Sequence, residues 1–220
     1  MTLILAQKYA GGIVVASDML RVVLDSEGNK KGVLDDETLK IQILHKGIGI
    51  AVSGFGGLSD SCVTAARSIL KAKNKVSVGE VKSCVLNYFK FSQEQFSTYA
   101  PGYSIGMSFL LFGFDHNQTS FIFHFDSRRE YEEVAIESHI GFGSGIDKAI
   151  NLLENTELNE PNNPELIGNN FIDVIRETAK LDNTVGNNAH VVVLNKDIWF
   201  EMAMNEKDEY LFGPQRVSMY

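Results

Sequence analysis

Residues 2–18 read TLILAQKYAGGIVVASD, and this stretch decides the fold. Two apolar, β-compatible runs, residues 2–8 and 13–17, flank the tight turn Ala10-Gly11-Gly12, a pattern that predicts a β-hairpin. The second strand of a hairpin returns beside the start of the first. Asp18 is therefore expected near Thr2, although an aspartate at a strand end is also a common turn residue.

Thr2 directly follows the start methionine and precedes the first predicted strand. Methionine aminopeptidase removes Met1 when the second residue is small, so the mature chain is expected to begin at Thr2. A terminal threonine carries a nucleophilic hydroxyl and a free α-amine with a reference pKa of ~7.7–8.0, which can accept a proton. One residue could then act as nucleophile and general base. A Met-Thr start is also ordinary, so this hypothesis depends on the remaining sequence.

Beyond the hairpin, pairs of predicted strands alternate with pairs of predicted helices. Strands are expected at residues 40–44, 48–53, 105–114, 120–125, 134–140, 189–194 and 198–202, and helices at 58–70, 78–96, 145–155 and 170–181. The polar stretch 25–37 lacks apolar periodicity and is expected to be an exposed excursion. Because hairpins dominate, we predict one α+β domain over residues 1–220. It is a four-layer αββα sandwich of two mostly antiparallel sheets between helix pairs.

Composition excludes several classes of protein. A net charge of −8 with scattered basic residues argues against nucleic-acid binding. The two cysteines, Cys62 and Cys84, and the five histidines show no metal-ligand spacing, so we expect no metal and no cofactor. No apolar run reaches the ~18 residues of a membrane span. We expect a cytoplasmic protein with reduced thiols and no membrane partner.

Two further sites could contribute chemistry. Lys40 opens a predicted strand, and its ammonium could pair with Asp18 and lower the pKa of the Thr2 hydroxyl. Sequence by itself favours a solvent-facing strand lysine. Ser53-Gly54 ends the next strand, where glycine backbone amides could form an oxyanion site, although an ordinary helix-start turn has the same pattern.

Taken together, these residues resemble a known family. In order and approximate spacing, they are similar to the motifs of proteasome β-type subunits and the HslV peptidase. The residues that carry this resemblance are Thr2, Asp18, Lys40, Ser53-Gly54, Gly143-Ser144-Gly145 and Asp182. The resemblance extends from Thr2 to about Trp199. It implies an N-terminal-nucleophile (Ntn) hydrolase of αββα architecture that cleaves peptide bonds through an acyl-enzyme.

Roles carried over from the resemblance make Thr2 the nucleophile and proton acceptor. Lys40 would tune its hydroxyl, Asp18 would hold Lys40, and the Gly54 amide would donate to the oxyanion. In the same way the resemblance implies that Ser144 and Asp182 form hydrogen bonds around the terminal amine, and that Val52 lines the pocket for the residue before the cut.

The chain departs from the family pattern at several places near the inferred cleft. Val185 stands where the family often has a serine, so part of the proton network is missing or replaced by Thr184. The segment 21–37 is longer than usual, and two extra residues separate Gly54 from Asp60. No propeptide beyond Met1 is expected, as in HslV.

The sequence therefore predicts a threonine-type endopeptidase acting on peptides or unfolded proteins. By resemblance it would form a homo-oligomeric ring, with an ATPase unfoldase as a possible partner. Two other hypotheses stay open: a transpeptidase or peptide ligase that uses the same acyl-enzyme, and a catalytically inactive ring scaffold.

Overall fold

The computed structural model describes residues 2–25, 27, 29–73, 75–103, 105–154 and 162–218. Sheet I contains β10 (His139–Gly143), β1 (Leu3–Tyr9), β2 (Gly12–Asp18), β11 (Ala189–Asn195), β12 (Ile198–Met204) and β13 (Tyr210–Ser218), in that spatial order. Sheet II contains β5 (Ile41–His45), β6 (Ile48–Gly54), β7 (Met107–Phe114), β8 (Ser120–Asp126) and β9 (Val134–Ala135). A separate two-stranded ribbon, β3 (Arg21–Leu24) and β4 (Lys30–Asp35), lies between β2 and β5 in the chain. All pairings of these strands are antiparallel.

Among the residues that the structure describes, four helices cover the two sheets. They are α1 (Gly56–Lys71), α2 (Val78–Tyr99), α3 (Ile146–Glu154) and α4 (Pro164–Leu181), and a 3₁₀ turn follows β8 at Ser127–Arg129. Within the described ranges, none of the helices combines the length and hydropathy that a bilayer crossing requires.

Three apolar clusters define the layers. One fills the space between sheet II and the pair α1–α2 and includes Val63, Phe89 and Phe109. A second, with Phe112 and Trp199 stacked at a centroid distance of 5.8 Å, lies between the two sheets. The third packs sheet I against α3 and α4. Alternate strand residues face opposite sides, so each sheet contributes to two clusters. The predicted α+β four-layer sandwich with antiparallel sheets is confirmed.

The described residues of the predicted exposed excursion at 25–37 are mostly exposed, as expected, but part of the segment forms the ribbon β3–β4, which was not predicted. The Asp25 carboxylate accepts hydrogen bonds from the Glu27 and Asn29 amides and closes the turn between the strands. The ribbon lies outside the three clusters, and Val33 and Leu34 are exposed. A strand pair without a buried face leaves no apolar alternation in the sequence, which is why the pattern did not indicate it.

Three other elements differ from the prediction. The single strand expected at 134–140 is two short strands, β9 and β10, that belong to different sheets. Strand β13 was not predicted, because Gly213-Pro214 and nearby acidic residues are typical of a tail. Helix α4 begins at Pro164, earlier than the predicted residue 170, since the Asn163 side chain accepts hydrogen bonds from the Glu165 and Leu166 amides.

His124 links the two sheets near the carboxyl end of β8. Its Nε2 lies 2.9 Å from Ser108 Oγ, its Nδ1 lies 3.2 Å from an Arg129 guanidinium nitrogen, and its ring packs 4.7 Å from that of Phe142 in β10. Burial, together with the charge of Arg129, lowers the pKa of His124 from its usual 6.5 to about 4.

The low pKa of His124 predicts a specific pH dependence of stability. Between pH 6.5 and about 4 the native state binds fewer protons at this site than the unfolded state, so stability falls as pH falls through this window. His124→Gln removes that contribution, on the order of 2–3 kcal/mol. Denaturant unfolding should give the wild type a larger free energy of unfolding than the variant at pH 7.5, and this difference should shrink at pH 4.5. The same substitution at the exposed turn residue His116 is the reference, and parallel pH curves for wild type and His124→Gln would contradict the assignment.

Candidate active site

A buried ion pair lies at the end of sheet I where the first strand begins. Lys40 Nζ is 3.1 Å from both carboxylate oxygens of Asp18 and donates a 2.6 Å hydrogen bond to the Leu20 carbonyl. Asp18 is fully buried and Lys40 is 5% exposed. Burying two charges is costly unless each is paired and hydrogen-bonded, and both conditions are met here. The predicted Asp18–Lys40 pairing is therefore present in the structure.

Asp18 also anchors three backbone segments. Its Oδ1 accepts a 2.8 Å hydrogen bond from the Leu3 amide, and its Oδ2 accepts hydrogen bonds from the amides of Leu20 at 3.1 Å and Gly186 at 3.2 Å. The Leu3 contact places the carboxylate at the residue that directly follows Thr2. The hairpin argument for the proximity of Asp18 to the chain start is thereby supported by a direct contact.

Opposing effects act on the pKa of Lys40. Burial lowers the pKa of its ammonium group, and the charge and hydrogen bonds of Asp18 oppose that effect. The nearby Arg21 guanidinium lowers the pKa of Lys40 further, because two like charges repel. The result is a lysine whose pKa lies below its ordinary value beside the start of the first strand. Perturbed lysines of this kind cluster at functional sites.

Strand β6 of sheet II and the turn after β10 of sheet I hold the backbone of Thr2. Its carbonyl accepts hydrogen bonds from Ser53 Oγ at 3.1 Å and from the Ser144 amide at 2.9 Å, and Thr2 is only 4% exposed. Gly143 has a φ of +102°, and a Cβ there would meet the Thr2 carbonyl oxygen at 1.7 Å. Glycine is therefore required at 143 for the close approach of the Gly143-Ser144-Gly145 turn to Thr2.

Gly54 follows the serine that contacts Thr2. It has a φ of +117°, and a Cβ at this position would lie 2.1 Å from the Gly106 carbonyl oxygen. Its left-handed backbone ends β6 and turns the chain toward α1, which begins at Gly56. This location is compatible with the predicted oxyanion donor, and that role stays a prediction.

Asp182 caps the carboxyl end of α4 beside the same glycine turn. Burial by itself would raise its pKa, but hydrogen bonds from the side chain and amide of Thr184 and the charge of Lys148 outweigh it and lower the pKa. The Thr184 hydroxyl donates to Asp182 Oδ1 at 2.6 Å, and Lys148 Nζ lies 3.7 Å from Oδ2. The Thr184 hydroxyl is thus engaged by the Asp182 carboxylate, and its suggested part in a proton network stays a prediction.

Ser144 and Val185 depart from the arrangement that the resemblance implies. Ser144 contacts Thr2 through its backbone amide, and its buried Oγ has no hydrogen-bond partner among the described residues. Val185 is 3% exposed and packs in the cluster beneath α3 and α4. A valine side chain cannot take part in a proton network, so any such network here rests on other groups.

Val52, the predicted pocket residue, lies on the opposite side of β6 from Ser53. It is 5% exposed and packs in the cluster between sheet II and α1–α2. Little of its surface faces the cleft, and its role in the pocket stays a prediction.

Three contributors to the site were not predicted. They are the Ser53 hydroxyl on Thr2, the Leu20 carbonyl on Lys40, and the Arg21 guanidinium, whose charge reaches Lys40. Arg21 directly follows the Met19-Leu20 stretch after β2, a position that could have indicated closeness to Asp18. The other two contacts depend on pairing across the sheets and have no sequence signal.

No cluster of three or more histidine, cysteine, aspartate or glutamate side chains suited to a metal ion occurs among the residues that the structure describes. The described groups around Thr2 include a hydroxyl, an ammonium, a carboxylate and backbone amides.

Comparison with known proteins identifies the family. The family model for proteasome subunits matches residues 2–194. The chain belongs to the proteasome subunit family. The matched region begins at Thr2 and ends in β11, so the β12–β13 hairpin lies beyond it. A search of curated proteins gives no significant match.

The buried pair should contribute strongly to stability of the folded chain. Asp18→Asn leaves the Lys40 ammonium buried without its carboxylate, and we expect a loss of about 3–5 kcal/mol in the free energy of unfolding. The double variant Asp18→Asn/Lys40→Met should recover part of that loss. The exposed pair Lys180–Glu177 is the control, since Glu177→Gln should cost under about 1 kcal/mol. Equal losses for Asp18→Asn and Glu177→Gln in urea unfolding would contradict a buried, paired Lys40.

Proposed function

We propose that this proteasome-family subunit is a threonine-type endopeptidase whose nucleophile is Thr2 after removal of Met1. The observation that carries the proposal is the buried Asp18–Lys40 pair, joined to the start of β1 through the Leu3 amide. The pair holds the start of β1 in place, and the same contacts put a buried ammonium next to the segment that carries Thr2, where a cation can lower the pKa of a hydroxyl.

The proposed reaction divides peptide hydrolysis into two acyl transfers. The Thr2 hydroxyl oxygen attacks the substrate carbonyl carbon while its proton passes to the Thr2 α-amine. The Lys40 ammonium would stabilise the developing alkoxide. The same proton then moves to the leaving peptide nitrogen as the C–N bond breaks, which leaves an ester on Thr2. Water, deprotonated by the α-amine, attacks the ester and releases the carboxylic acid.

The negative charge on the tetrahedral oxygen requires preorganised donors. Gly54 is our candidate donor because it follows Ser53, whose hydroxyl holds the Thr2 carbonyl. In this proposal Ser144 and Asp182 support the turn around Thr2. Ser144 does so through its backbone amide, which donates to the Thr2 carbonyl. Asp182 lies beside Gly145, since a Cβ added to that glycine would be 3.5 Å from the Cβ of Asp182.

One observation favours a second candidate, an inactive subunit that serves as a scaffold. Val185 is buried where related enzymes often carry a serine, so the amine of Thr2 lacks that contribution to proton transfer. Thr184 is engaged by Asp182 and is the nearest hydroxyl in sequence. The peptidase proposal is preferred because Lys40 combines burial and a lowered pKa next to the segment that carries Thr2, a combination typical of functional sites.

Assembly and location follow from family membership as proposals. Proteasome subunits typically form rings, which supports an oligomer, and we propose a homo-oligomeric ring that encloses the active sites. We also propose a cytoplasmic location and peptide or unfolded-protein substrates, which an ATPase unfoldase could supply. Cys62 and Cys84 are free thiols, as a reducing compartment allows.

Replacement of Thr2 tests the nucleophile. Thr2→Ala should lower peptide turnover at least about 10³-fold, the cost typical of removing a covalent nucleophile, while the unfolding midpoint stays near wild type. Thr2→Ser, which keeps a hydroxyl, is the matched control and should retain measurable turnover. Intact-mass analysis must first establish that Met1 is absent. Undiminished cleavage by Thr2→Ala, or a wild type that retains Met1 and still cleaves, would sink the mechanism, and a processed but unreactive Thr2 would favour the scaffold.

The acceptor of the acyl group separates a peptidase from a ligase. We expect water to be the acceptor, so mass spectrometry of the products should find free carboxylic acids even when a peptide amine is supplied at millimolar concentration. The Thr2→Ala protein is the blank for uncatalysed aminolysis. Products dominated by new peptide bonds would replace the peptidase proposal with a transpeptidase.

A further inference from the structure

Arg21 lies between the buried ion pair and the turn that carries Gly54. Its backbone directly follows Leu20, whose carbonyl accepts the Lys40 hydrogen bond. Its side chain reaches α1, where Nη2 donates a 2.6 Å hydrogen bond to Asp60 Oδ2. The guanidinium also passes over the start of α1, since a Cβ at Gly56 would lie 3.0 Å from Arg21 Nε. Arg21 therefore borders the cleft within two residues of the candidate oxyanion donor.

The guanidinium retains capacity to bind another acceptor. It carries five N–H donors in a planar fork, and the Asp60 contact engages one edge of it. The Arg21 side chain is 27% exposed, so it is partly shielded from water yet accessible to another molecule. Neither glycine at the start of α1 covers the guanidinium. Gly56 has no side chain to place over Arg21 Nε, and a Cβ at Gly57 would have no neighbouring atom within 4 Å.

The unused donors of Arg21 favour an anionic group over a basic or an apolar one. Lys40 is buried and paired with Asp18, so Arg21 is the more accessible of the two cations. A basic substrate side chain would meet the repulsion of the guanidinium, and an apolar side chain would remove water from Arg21 without replacing its hydrogen bonds. Asp35, the other carboxylate that Arg21 influences, is exposed and already accepts hydrogen bonds from Thr38 and the Glu37 amide.

We propose that Arg21 is a specificity residue that binds a carboxylate side chain of the substrate next to the cut bond. The partly buried guanidinium and an aspartate or glutamate carboxylate would form a two-pronged, charge-assisted contact. The substrate class would then be peptides with an acidic residue beside the scissile bond. This inference rests on the proposed peptidase function, because it concerns the same active site.

Binding in a protein that cannot turn over tests the assignment independently of catalysis. In the Thr2→Ala background, fluorescence polarisation would measure two labelled peptides that differ only by glutamate or glutamine before the scissile bond. These residues have the same shape and differ in charge. We expect the glutamate peptide to bind at least about tenfold more tightly, which is the lower range for a hydrogen bond between charged groups.

Two single variants separate charge recognition from a structural role of the Arg21–Asp60 bridge. R21M and D60N both remove the bridge, but only R21M removes the cation. We expect R21M to abolish the preference for glutamate and leave binding of the glutamine peptide within about threefold. D60N should keep the preference, since the guanidinium is still present.

The outcomes are distinct for the two proposals. Equal binding of both peptides to the parent Thr2→Ala protein overturns the inference without any Arg21 variant. Equal weakening of both peptides by R21M and D60N also overturns it, because the bridge would then act only on structure. Preference for the glutamate peptide, combined with a wild type that cleaves neither peptide, would support the binding role of Arg21 and overturn the peptidase function.

Discussion

The hydrogen-bonded ion pair of Asp18 and Lys40 is the interaction on which the rest of the structure depends. A buried carboxylate needs donors for its lone pairs, and Asp18 obtains them from Lys40 and from the amides of Leu3, Leu20 and Gly186. Each donor belongs to a different part of the chain. One pair of charges thereby fixes the start of β1, the end of β2, the entrance to β5 and the loop after α4 at one end of the sandwich.

The same end of the molecule receives contacts from both sheets. Sheet II contributes the Ser53 hydroxyl, and the turn that follows β10 of sheet I contributes the Ser144 amide, to the carbonyl of Thr2. His124, packed on Phe142 and hydrogen-bonded to Ser108, joins the sheets at the neighbouring strands. Function and fold are therefore coupled here: the position of Thr2 depends on the distance between the layers, which the inter-sheet cluster around Phe112 and Trp199 maintains.

Much of the fold was predictable because its signals are local. Apolar alternation and turn residues gave the hairpin β1–β2, and helical spacing gave α1 and α2 with ends that differ by a few residues. The ribbon β3–β4 and strand β13 escaped prediction for one shared reason: neither lies in a continuous apolar pattern, and strand pairing by backbone hydrogen bonds leaves little trace in side chains. In the site, hairpin geometry predicted the closeness of Asp18 to Thr2, and the resemblance to proteasome β-type subunits indicated the Asp18–Lys40 pairing and added Ser144 and Asp182.

Sequence alone determined the class of the fold, the family and the residue types available for chemistry, because periodicity and motif spacing are properties of the linear chain. Only the tertiary structure decided which of those groups meet and how they are modified. The depressed pKa of Lys40, the engagement of Asp182 by Thr184, the burial of Val185 and the reach of Arg21 from the ribbon to α1 all arise from contacts between distant segments. Desolvation and like-charge repulsion act through space, and so they become readable only once the layers have packed.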